Sequence, residues 1–288
     1  MVDKPAGPTS HDVVDRVRRA LGLRRVGHTG TLDPFATGVL PVCLGRATRL
    51  ARLLAGGVKA YDATLRLGFA TSTDDRTGVP LGAVVPVAVP LEAVEAACRR
   101  FVGEVEQLPP AFSAKKVGGR RLYELARRGE TVDRTAARVT IHAVDVVGLS
   151  GDCVELRVRC SVGTYVRALA RDIGQVLGLG GHLAALRRTA TGAFGLAGAA
   201  AWEELEPGRP SVLAKIIPIN ELLPELPAVR VSEQGHQAVR RGRKLERAHL
   251  EGDVPQQEPV RVLGADGALL ALARFREGGL HPYLVLVD

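Results

Sequence analysis

Apolar residues recur along the chain with two different periods. Their spacing is helical over residues 9–22, 91–101 and 165–177, where they would share one face of a helix. Over residues 61–67 and 154–160 they alternate with polar residues, which is the period of a strand with one buried face. Because these helices and strands follow one another irregularly, the pattern predicts an α+β fold rather than a parallel array of strand–helix–strand units.

Two stretches interrupt this pattern. Residues 71–90 are rich in Thr, Asp and Pro and are expected to form a mobile surface loop, and a proline-rich run near 207–227 is typical of a linker. Beyond that run, short apolar segments at 260–263, 268–275 and 283–287 predict a small β-rich tail, with a turn at Asp266-Gly267.

Length and composition exclude several classes of protein. The chain has 288 residues, of which 46% are hydrophobic, so it can bury a core and is not disordered as a whole. Its longest apolar candidate, residues 79–91, is too short to cross a membrane, and the N-terminus has no apolar signal segment, so we expect a cytoplasmic protein. The four cysteines form no C-x-x-C pair and are expected to be reduced core thiols rather than disulfides or zinc ligands.

The net charge of +8 is distributed unevenly. Residues 226–288 contain nine basic and eight acidic residues, so almost all of the basic excess lies in residues 1–225. A basic excess concentrated in one part of a protein indicates a polyanionic partner, although it can also serve solubility alone.

The loop Gly27–Gly38 reads G-H-T-G-T-L-D-P-F-A-T-G, and its three glycines permit tight turns and the close approach of a ligand. Pro34 disfavours helical geometry at Asp33, and a carboxylate fixed in this way suits a nucleophile or a base. An Asp-Pro pair is also a common turn former. The loop lacks phosphate-binding and dinucleotide-binding spacings, and His28 with Asp33 supplies too few ligands for a metal.

Two further segments carry polar groups that could meet a ligand. Residues 115–128 hold six basic residues and one acidic residue around a Gly-Gly turn, which fits either phosphate contacts or a solvated charge run. At a predicted strand-to-helix junction, Tyr165 and Arg167 lie off the apolar stripe, where the arginine could pair with a carboxylate or belong to an ordinary helix cap. His182, taken alone, is more often a structural residue than a catalytic one.

Together these segments resemble the TruB family of bacterial tRNA pseudouridine synthases, which isomerise a uridine in the T-loop of tRNA (position 55). The matching stretches follow the family's order and are residues 3–10, 27–38, 59–61, 113–123, 163–167 and 181–188. The run G-H-T-G-T-L-D-P-x-A-T-G is highly specific to this family and its eukaryotic and archaeal relatives.

The resemblance implies a fold and a reaction. Residues 1–222 are expected to form a pseudouridine synthase domain, with a mixed, mainly antiparallel central sheet flanked by helices. Residues 223–288 are expected to form a small β-rich, PUA-like RNA-binding domain. The expected reaction is base flipping followed by covalent catalysis with an aspartate, without cofactor or metal. The expected partner is the T-arm of tRNA, with no obligate protein partner and a monomeric enzyme.

The resemblance also implies catalytic residues. Asp33 matches the catalytic aspartate, which forms a covalent adduct, and Arg167 matches the arginine that pairs with it. Tyr165 lies against the base and is a candidate for the proton transfer at C5.

Four other residues match substrate-binding positions. His28 occupies the space that the flipped base vacates, Tyr61 stacks on the base and Leu186 contacts it. Lys116 belongs to an RNA-facing loop that orders on binding.

One departure and three alternatives stay open. Family members begin with a short strand before Asp3, for which only Met1 and Val2 are present, so we expect this edge strand to be shortened or missing. The alternative functions are a non-catalytic tRNA-binding protein or chaperone, a guide-RNA-dependent relative within a multi-protein particle, and a uracil glycosylase. The joint presence of the matched catalytic residues argues against the first, and the guide-dependent form normally has a longer basic tail and a fuller C-terminal barrel.

Overall fold

The computed structural model of the chain describes residues 1–113, 116–117, 120–121, 134–208, 210–276 and 278–287, with the backbone alone at 116–117, 120–121 and 210. Its α-helices are α1 (Ser10–Leu21), α2 (Ala51–Leu54), α3 (Leu91–Arg99), α4 (Val166–Val176), α5 (Pro210–Leu213) and α6 (Glu233–Arg240). Short 3₁₀ helices cover Gly45–Leu50, Trp202–Glu204, Ile219–Glu221 and Arg247–His249.

The strands are mostly short, with three longer ones in the middle of the chain. In chain order they are β1 (Val2–Lys4), β2 (Val26–His28), β3 (Thr37–Leu40), β4 (Val42–Leu44), β5 (Lys59–Leu67), β6 (Ala70–Thr71), β7 (Pro80–Leu81), β8 (Gly103–Gln107), β9 (Lys116–Val117), β10 (Arg120–Arg121), β11 (Ala137–Ser150), β12 (Cys153–Cys160), β13 (Gly181–Thr191), β14 (Phe194–Gly195), β15 (Ala228–Val231), β16 (Leu250–Glu251), β17 (Val260–Leu263), β18 (Leu269–Arg276) and β19 (Gly279–Val285).

The chain divides into two compact units, each built from several segments. The first unit comprises residues 1–15, 29–41 and 53–204, and the second comprises residues 16–28, 42–52 and 205–288. No helix in the described part of the chain is long and apolar enough to span a membrane.

An eight-stranded sheet organises the first unit. Its order is β1-β3-β13-β5-β12-β11-β8, with β14 paired to β13, and every pair is antiparallel except β3 with β13. The mixed, mainly antiparallel sheet and the α+β class predicted from the sequence are therefore confirmed.

The alternating pattern of β5 and β12 gives this sheet one buried face. Ala63 and Leu65 of β5 and Leu156 of β12 belong to the core, whereas Glu155 and Arg157 point to solvent. Helix α4 packs on β13 and β5, and α3 packs on β11 and α4. The apolar stripes of both helices thus close the core on one side of the sheet.

Of the two expectations for the edge strand, shortened or missing, the second is excluded, because a strand of three residues is present at this edge. Three residues of β1 pair with β3, and the Asp3 amide donates to the Ala200 carbonyl at 2.9 Å. Val2 is buried, and the side chain of Lys4 is completely buried. This short strand is anchored by the buried Val2 side chain and by the Lys4 amine, which donates to the carbonyl oxygens of Pro34 and Ala36.

The second unit holds a separate sheet and core. Its five strands are ordered β16-β15-β17-β18-β19, and only β15 and β17 run parallel. Helix α6 packs against β15, β18 and β19. The predicted β-rich tail is confirmed at β17, β18 and β19, but the pattern missed β15, α6 and β16. The proline-rich run contains α5 and a 3₁₀ helix, so it is more ordered than the predicted linker.

Candidate active site

A cavity of ≈ 220 Å³ opens in the first unit, several times the ~30 Å³ that one water molecule occupies in the liquid. It is bordered by the loop that precedes β3, the first part of β5, the N-terminal end of α4 and one residue of β13. The lining residues are Thr31, Leu32, Asp33, Lys59, Tyr61, Gly163, Thr164, Tyr165, Val166, Arg167 and Leu186. Five of the seven predicted site residues therefore meet around one cavity.

Asp33 and Arg167 form an ion pair at this cavity. Arg167 Nη2 donates to Asp33 Oδ1 at 3.2 Å, and Arg167 Nε lies 2.9 Å from Asp33 Oδ2. The two parallel contacts fix both the position and the plane of the carboxylate. The Asp33 side chain is 33% exposed, whereas that of Arg167 is only 5% exposed. A ligand in the cavity can therefore reach the carboxylate of Asp33, while the guanidinium that pairs with it is buried.

Arg167 reaches this position because it lies in the first turn of α4, whose apolar residues are buried in the core. Its guanidinium also donates to the carbonyl oxygens of Thr73 at 3.0 Å and Phe112 at 2.8 Å. Its Nη1 lies 3.4 Å from Oδ2 of Asp75, which is 5% exposed. These contacts leave the guanidinium little freedom to move away from Asp33.

The segment that contains Asp74 and Asp75 corrects a sequence prediction. Residues 71–90 were expected to form a mobile surface loop, but Thr71, Asp74 and Asp75 are buried. The Leu183 amide donates to the Asp74 carbonyl at 3.0 Å, which ties the segment to β13. The surface-loop prediction is therefore wrong for residues 71–75, because the buried Arg167 and the half-buried Arg171 compensate the acidic side chains that made the segment look solvated.

Each of the two aspartates has its own partners. Asp75 Oδ1 accepts from the Thr73 hydroxyl at 2.7 Å and from the Thr77 amide at 2.9 Å. Asp74 pairs with Arg171 at 2.9 Å, one helical turn beyond Arg167. Asp75 is thus positioned toward Arg167, and Asp74 toward the next arginine of α4. Two adjacent acids within a threonine-rich turn were the available sequence signal for this missed pair.

Opposing influences act on the pKa of Asp33. Burial raises the pKa of this carboxyl, and the negative charge of Asp75 adds to the rise, whereas Arg167 and Lys4 oppose it. Together these influences leave the pKa of Asp33 above its ordinary value, and the contacts of Arg167 with both carboxylate oxygens are what favour the ionised form against burial.

Two buried cations hold the loop that carries Asp33. Lys4 Nζ donates to the carbonyl oxygens of Pro34 at 3.1 Å and Ala36 at 2.7 Å, and burial lowers the pKa of this amine to about 8. Arg188, which is completely buried, donates through Nε to the Val39 carbonyl at 2.8 Å. Arg188 also donates through Nη2 to the Gly30 carbonyl at 3.2 Å, so carbonyls on both sides of Asp33 are satisfied by charged donors. Sequence reasoning missed this function of both residues.

Gly38 shows why this loop needs glycine at one position. Its φ is +104°, and a Cβ there would lie 2.2 Å from the Arg188 carbonyl oxygen. The close approach is made by the protein's own strand β13, so the interpretation that the glycines admit a ligand is wrong for Gly38.

Tyr61, Leu186 and Tyr165 supply the apolar part of the cavity. Burial raises the pKa of Tyr61 to about 12, so its ring is neutral at physiological pH. Tyr165 precedes α4, and its backbone is fixed by the buried side chain of Gln107. That amide accepts from the Tyr165 N–H at 2.8 Å and donates to the Tyr165 carbonyl at 3.1 Å. The pattern of the sequence carried no signal for Gln107.

The remaining predicted residues lie elsewhere. His28 is half-buried on β2 in the second unit and is not among the described residues that line the cavity. The backbone of Lys116 lies on β9, but its side chain is outside the described part of the chain, as are residues 114–115, 118–119 and 122–133. His182 is buried, and its Nδ1 lies 3.1 Å from the Phe69 carbonyl, which is a structural role.

Among the described residues, no group of three His, Cys, Asp or Glu side chains could hold a metal ion. The chemistry that the arrangement offers is that of an ionised carboxylate at a cavity large enough for one aromatic ring. Such a carboxylate can act as a nucleophile or as a base.

Comparison with known proteins identifies the family. Residues 18–166 match the TruB family pseudouridylate synthase (N terminal domain), and residues 167–218 match the tRNA pseudouridylate synthase B C-terminal domain. The chain belongs to the TruB family. The cavity draws on both matched stretches, with Asp33 and Tyr165 in the first and Arg167 and Leu186 in the second.

Relatives within the TruB family cover nearly the whole chain. The tRNA pseudouridine synthase B of Ralstonia nicotianae is 45% identical, over 98% of this chain and 91% of its own length. The tRNA pseudouridine synthase B of Thermobifida fusca is also 45% identical, over 99% of this chain and 97% of its own length.

Solved structures support the fold. A Cbf5-Nop10-Gar1 complex contains a chain that is 27% identical with a TM-score of 0.73, covering 99% of this chain and 84% of that one. An archaeal box H/ACA sRNP Nop10-Cbf5 complex contains a chain that is 26% identical with a TM-score of 0.72, covering 99% of this chain and 85% of that one.

Proposed function

We propose that this protein isomerises uridine to pseudouridine in the T-loop of tRNA, with Asp33 as the nucleophile. The observation that carries the proposal is the Asp33–Arg167 pair at the mouth of a ring-sized cavity, in a chain of the TruB family. The tRNA pseudouridine synthase B relatives, which align over nearly the full length, support tRNA as the substrate.

The reaction exchanges one glycosidic bond for another. The N1–C1′ bond of the uridine breaks, the uracil turns and a C5–C1′ bond forms, while a proton leaves C5 and N1 gains one. Atoms and electrons balance without an oxidant or an energy source. A carboxylate nucleophile can hold a covalent adduct while the base turns, as in the covalent step of a retaining glycosidase.

The described contacts support a role for each catalytic residue. Arg167 keeps Asp33 ionised and aimed, since it contacts both carboxylate oxygens. Asp75 in turn positions Arg167. Tyr165 lines the same cavity and is our candidate for the proton transfer at C5.

Substrate binding requires that the target base leave the folded T-loop, at a cost of a few kcal/mol. Stacking on Tyr61 contributes ~1–3 kcal/mol, which offsets part of that cost. Leu186 contacts the base in the same cavity. We assign His28 to the space left by the flipped base and Lys116 to the RNA backbone, both from the resemblance to the family.

The same proposal covers the organisation of the protein. We assign residues 1–222 to catalysis and residues 223–288 to a PUA-like RNA-binding domain. The division is supported by a hydrophobic core drawn only from residues between Val229 and Val287. We further propose a monomer that acts on tRNA in the cytoplasm without an obligate protein partner.

The direct test uses an unmodified tRNA transcript and the purified protein alone. We expect one carbodiimide-reactive stop in the T-loop after primer extension, and pseudouridine in the nucleoside digest. A transcript with cytidine at the target position serves as the control. Free uracil would indicate a glycosylase, and activity only with added guide RNA would indicate the guide-dependent relative. Tight binding without product would indicate a tRNA-binding protein.

A further inference from the structure

Lys59 lies in the cavity but has no part in the mechanism described so far. It is the first residue of β5, two positions before Tyr61, and its side chain is half-buried among the lining residues. Residues two apart on a strand face the same side of the sheet, so the Lys59 amine and the Tyr61 ring are offered to the same ligand.

The positive charge of Lys59 has no counterion in the described part of the chain. Within those residues its Nζ makes neither a hydrogen bond nor an ion pair, and it is not an atom that is sealed off from solvent. A second cation, Arg188, lies close by: a Cβ on Gly30 would lie 3.5 Å from Lys59 Nζ and 3.7 Å from Arg188 Nη1. Burial lowers the pKa of Lys59, and the charge of Arg188 lowers it further.

Arg188 does not neutralise this wall of the cavity, because its partners are uncharged. It donates to the backbone carbonyls of Gly30, Thr31 and Val39. The carboxylate of Asp33 is paired with Arg167 instead. Lys59 therefore adds a positive charge to the lining of the cavity, and Arg188 adds a second charge that is fully buried outside the lining. Neither cation is paired with an acid among the described residues, whereas Arg167 is paired with Asp33.

We propose that Lys59 binds a phosphodiester group of the RNA next to the flipped nucleotide and thereby fixes the sugar of that nucleotide beside Asp33. The inference rests on the proposed function and names the contact that would hold the nucleotide at the site. A phosphate is favoured over a uracil carbonyl, because a lysine at the cavity without a counterion, with a second cation buried close by, favours a ligand that carries a full negative charge, and the backbone is the source of anions in RNA.

The test is a double-mutant cycle in which one change is a substitution in the protein and the other is a neutralised phosphate in the RNA. T-arm RNAs are prepared with one neutral methylphosphonate at each linkage around the target uridine. With the wild-type protein, we expect the linkage that contacts Lys59 to lower single-turnover kcat/KM about tenfold, the usual effect of losing one charge-assisted hydrogen bond. With Lys59→Ala, the unmodified RNA should show a similar loss, and the same methylphosphonate should cause almost no further loss.

The controls separate this contact from general electrostatics. Arg100→Ala removes one exposed charge from the same unit, and its effect should add to that of every methylphosphonate. Lys59→Met keeps the aliphatic stem and should behave as Lys59→Ala does, which guards against a packing defect. Lys59→Arg should restore most of the sensitivity to the one linkage.

The result that would overturn the inference is full additivity between Lys59→Ala and every methylphosphonate in variants that remain folded. The proposed function is tested separately, because pseudouridine formation by the wild-type protein on unmodified RNA is measured first. No product at that stage defeats the proposed function, whereas product together with an additive cycle defeats only the assignment of Lys59.

Discussion

At the scale of single residues, the proposed reactivity of Asp33 depends on which charged side chains contact it directly and which contact it through another residue. Arg167 contacts the carboxylate directly, and Asp75 acts on it through Arg167. Asp74 belongs to the neighbouring pair with Arg171. The two adjacent aspartates therefore contact different arginines of α4, and only Asp75 contacts the arginine that pairs with Asp33.

This difference gives a matched pair of variants. Asp75→Asn should lower single-turnover pseudouridine formation by at least tenfold, because Arg167 loses the charge that positions it, while tRNA affinity stays within a few-fold. Asp74→Asn should retain most of the activity, and Asn tolerates the φ of +59° found at that residue. Equal activity losses in the two variants would remove Asp75 from the positioning network.

The pH profile follows from the pKa shift of Asp33. Because burial raises the pKa of its carboxyl, activity should fall with decreasing pH at a value above the ~3.9 of an ordinary aspartate. Arg167→Lys replaces a guanidinium that contacts both carboxylate oxygens by a single point charge. The acidic limb of the pH–rate profile should therefore move to higher pH, and the maximal rate should fall about tenfold or more. Single-turnover rates between pH 5 and pH 8 measure both. An unchanged limb would mean that Arg167 does not stabilise the ionised carboxylate.

Sequence reasoning at this scale succeeded for residues carried by recognisable motifs. Asp33, Tyr61, Tyr165, Arg167 and Leu186 all line the cavity, although no comparison tests their individual roles. Asp75 and Gln107 were missed, because a buried polar residue is recognised by its partner and those partners are more than 50 positions away in the chain. Gln107 left no local pattern, and the only local sign of Asp75 was the pair of adjacent acids in a threonine-rich turn.

At the scale of elements, the loop before β3 is held by its neighbours rather than by its own sequence. Ser10 of α1 binds Leu32 through both backbone groups, accepting from its amide at 2.8 Å and donating to its carbonyl at 3.0 Å. Lys4 of β1 and Arg188 of β13 satisfy further carbonyls. The position of Asp33 is therefore set by two elements at the start of the chain, β1 and α1, and by β13, which lies about 150 residues after Asp33.

A substitution at Gly38 tests how closely β3 and β13 are packed. Gly38→Ala should destabilise the protein by ~3 kcal/mol or more, because the new Cβ would overlap the backbone of β13 in addition to the cost of a positive φ. Gly7→Ala is the control, since Gly7 has a φ of +108° but no neighbour within 4 Å. Urea unfolding of both variants measures the difference. A Gly38→Ala variant no less stable than Gly7→Ala would show that β3 and β13 can separate without penalty.

Element prediction from the sequence worked where burial is one-sided. Helices α1, α3 and α4 and strands β5 and β12 lie where the apolar periods predict them. The segment at 71–75 was mispredicted, because its order comes from ion pairs and backbone hydrogen bonds to other elements rather than from a local apolar period.

At the scale of the whole molecule, the net charge of +8 matches a polyanionic substrate. If tRNA is held mainly through phosphate contacts, affinity should fall at least tenfold between 50 and 200 mM salt, with a linear dependence of log Kd on log salt concentration. Filter binding with the unmodified transcript measures this slope. An affinity independent of salt would contradict a phosphate-dominated interface.

The central claim is that Asp33 is the nucleophile of a tRNA uridine isomerase, and tritium release from tRNA carrying [5-³H]uridine tests it most directly. Wild-type protein and Asp33→Asn are compared at matched tRNA occupancy without added cofactor. The account predicts release by the wild type alone, while the variant binds tRNA with an affinity within roughly an order of magnitude of the wild type. Release by Asp33→Asn at a rate near that of the wild type would contradict it.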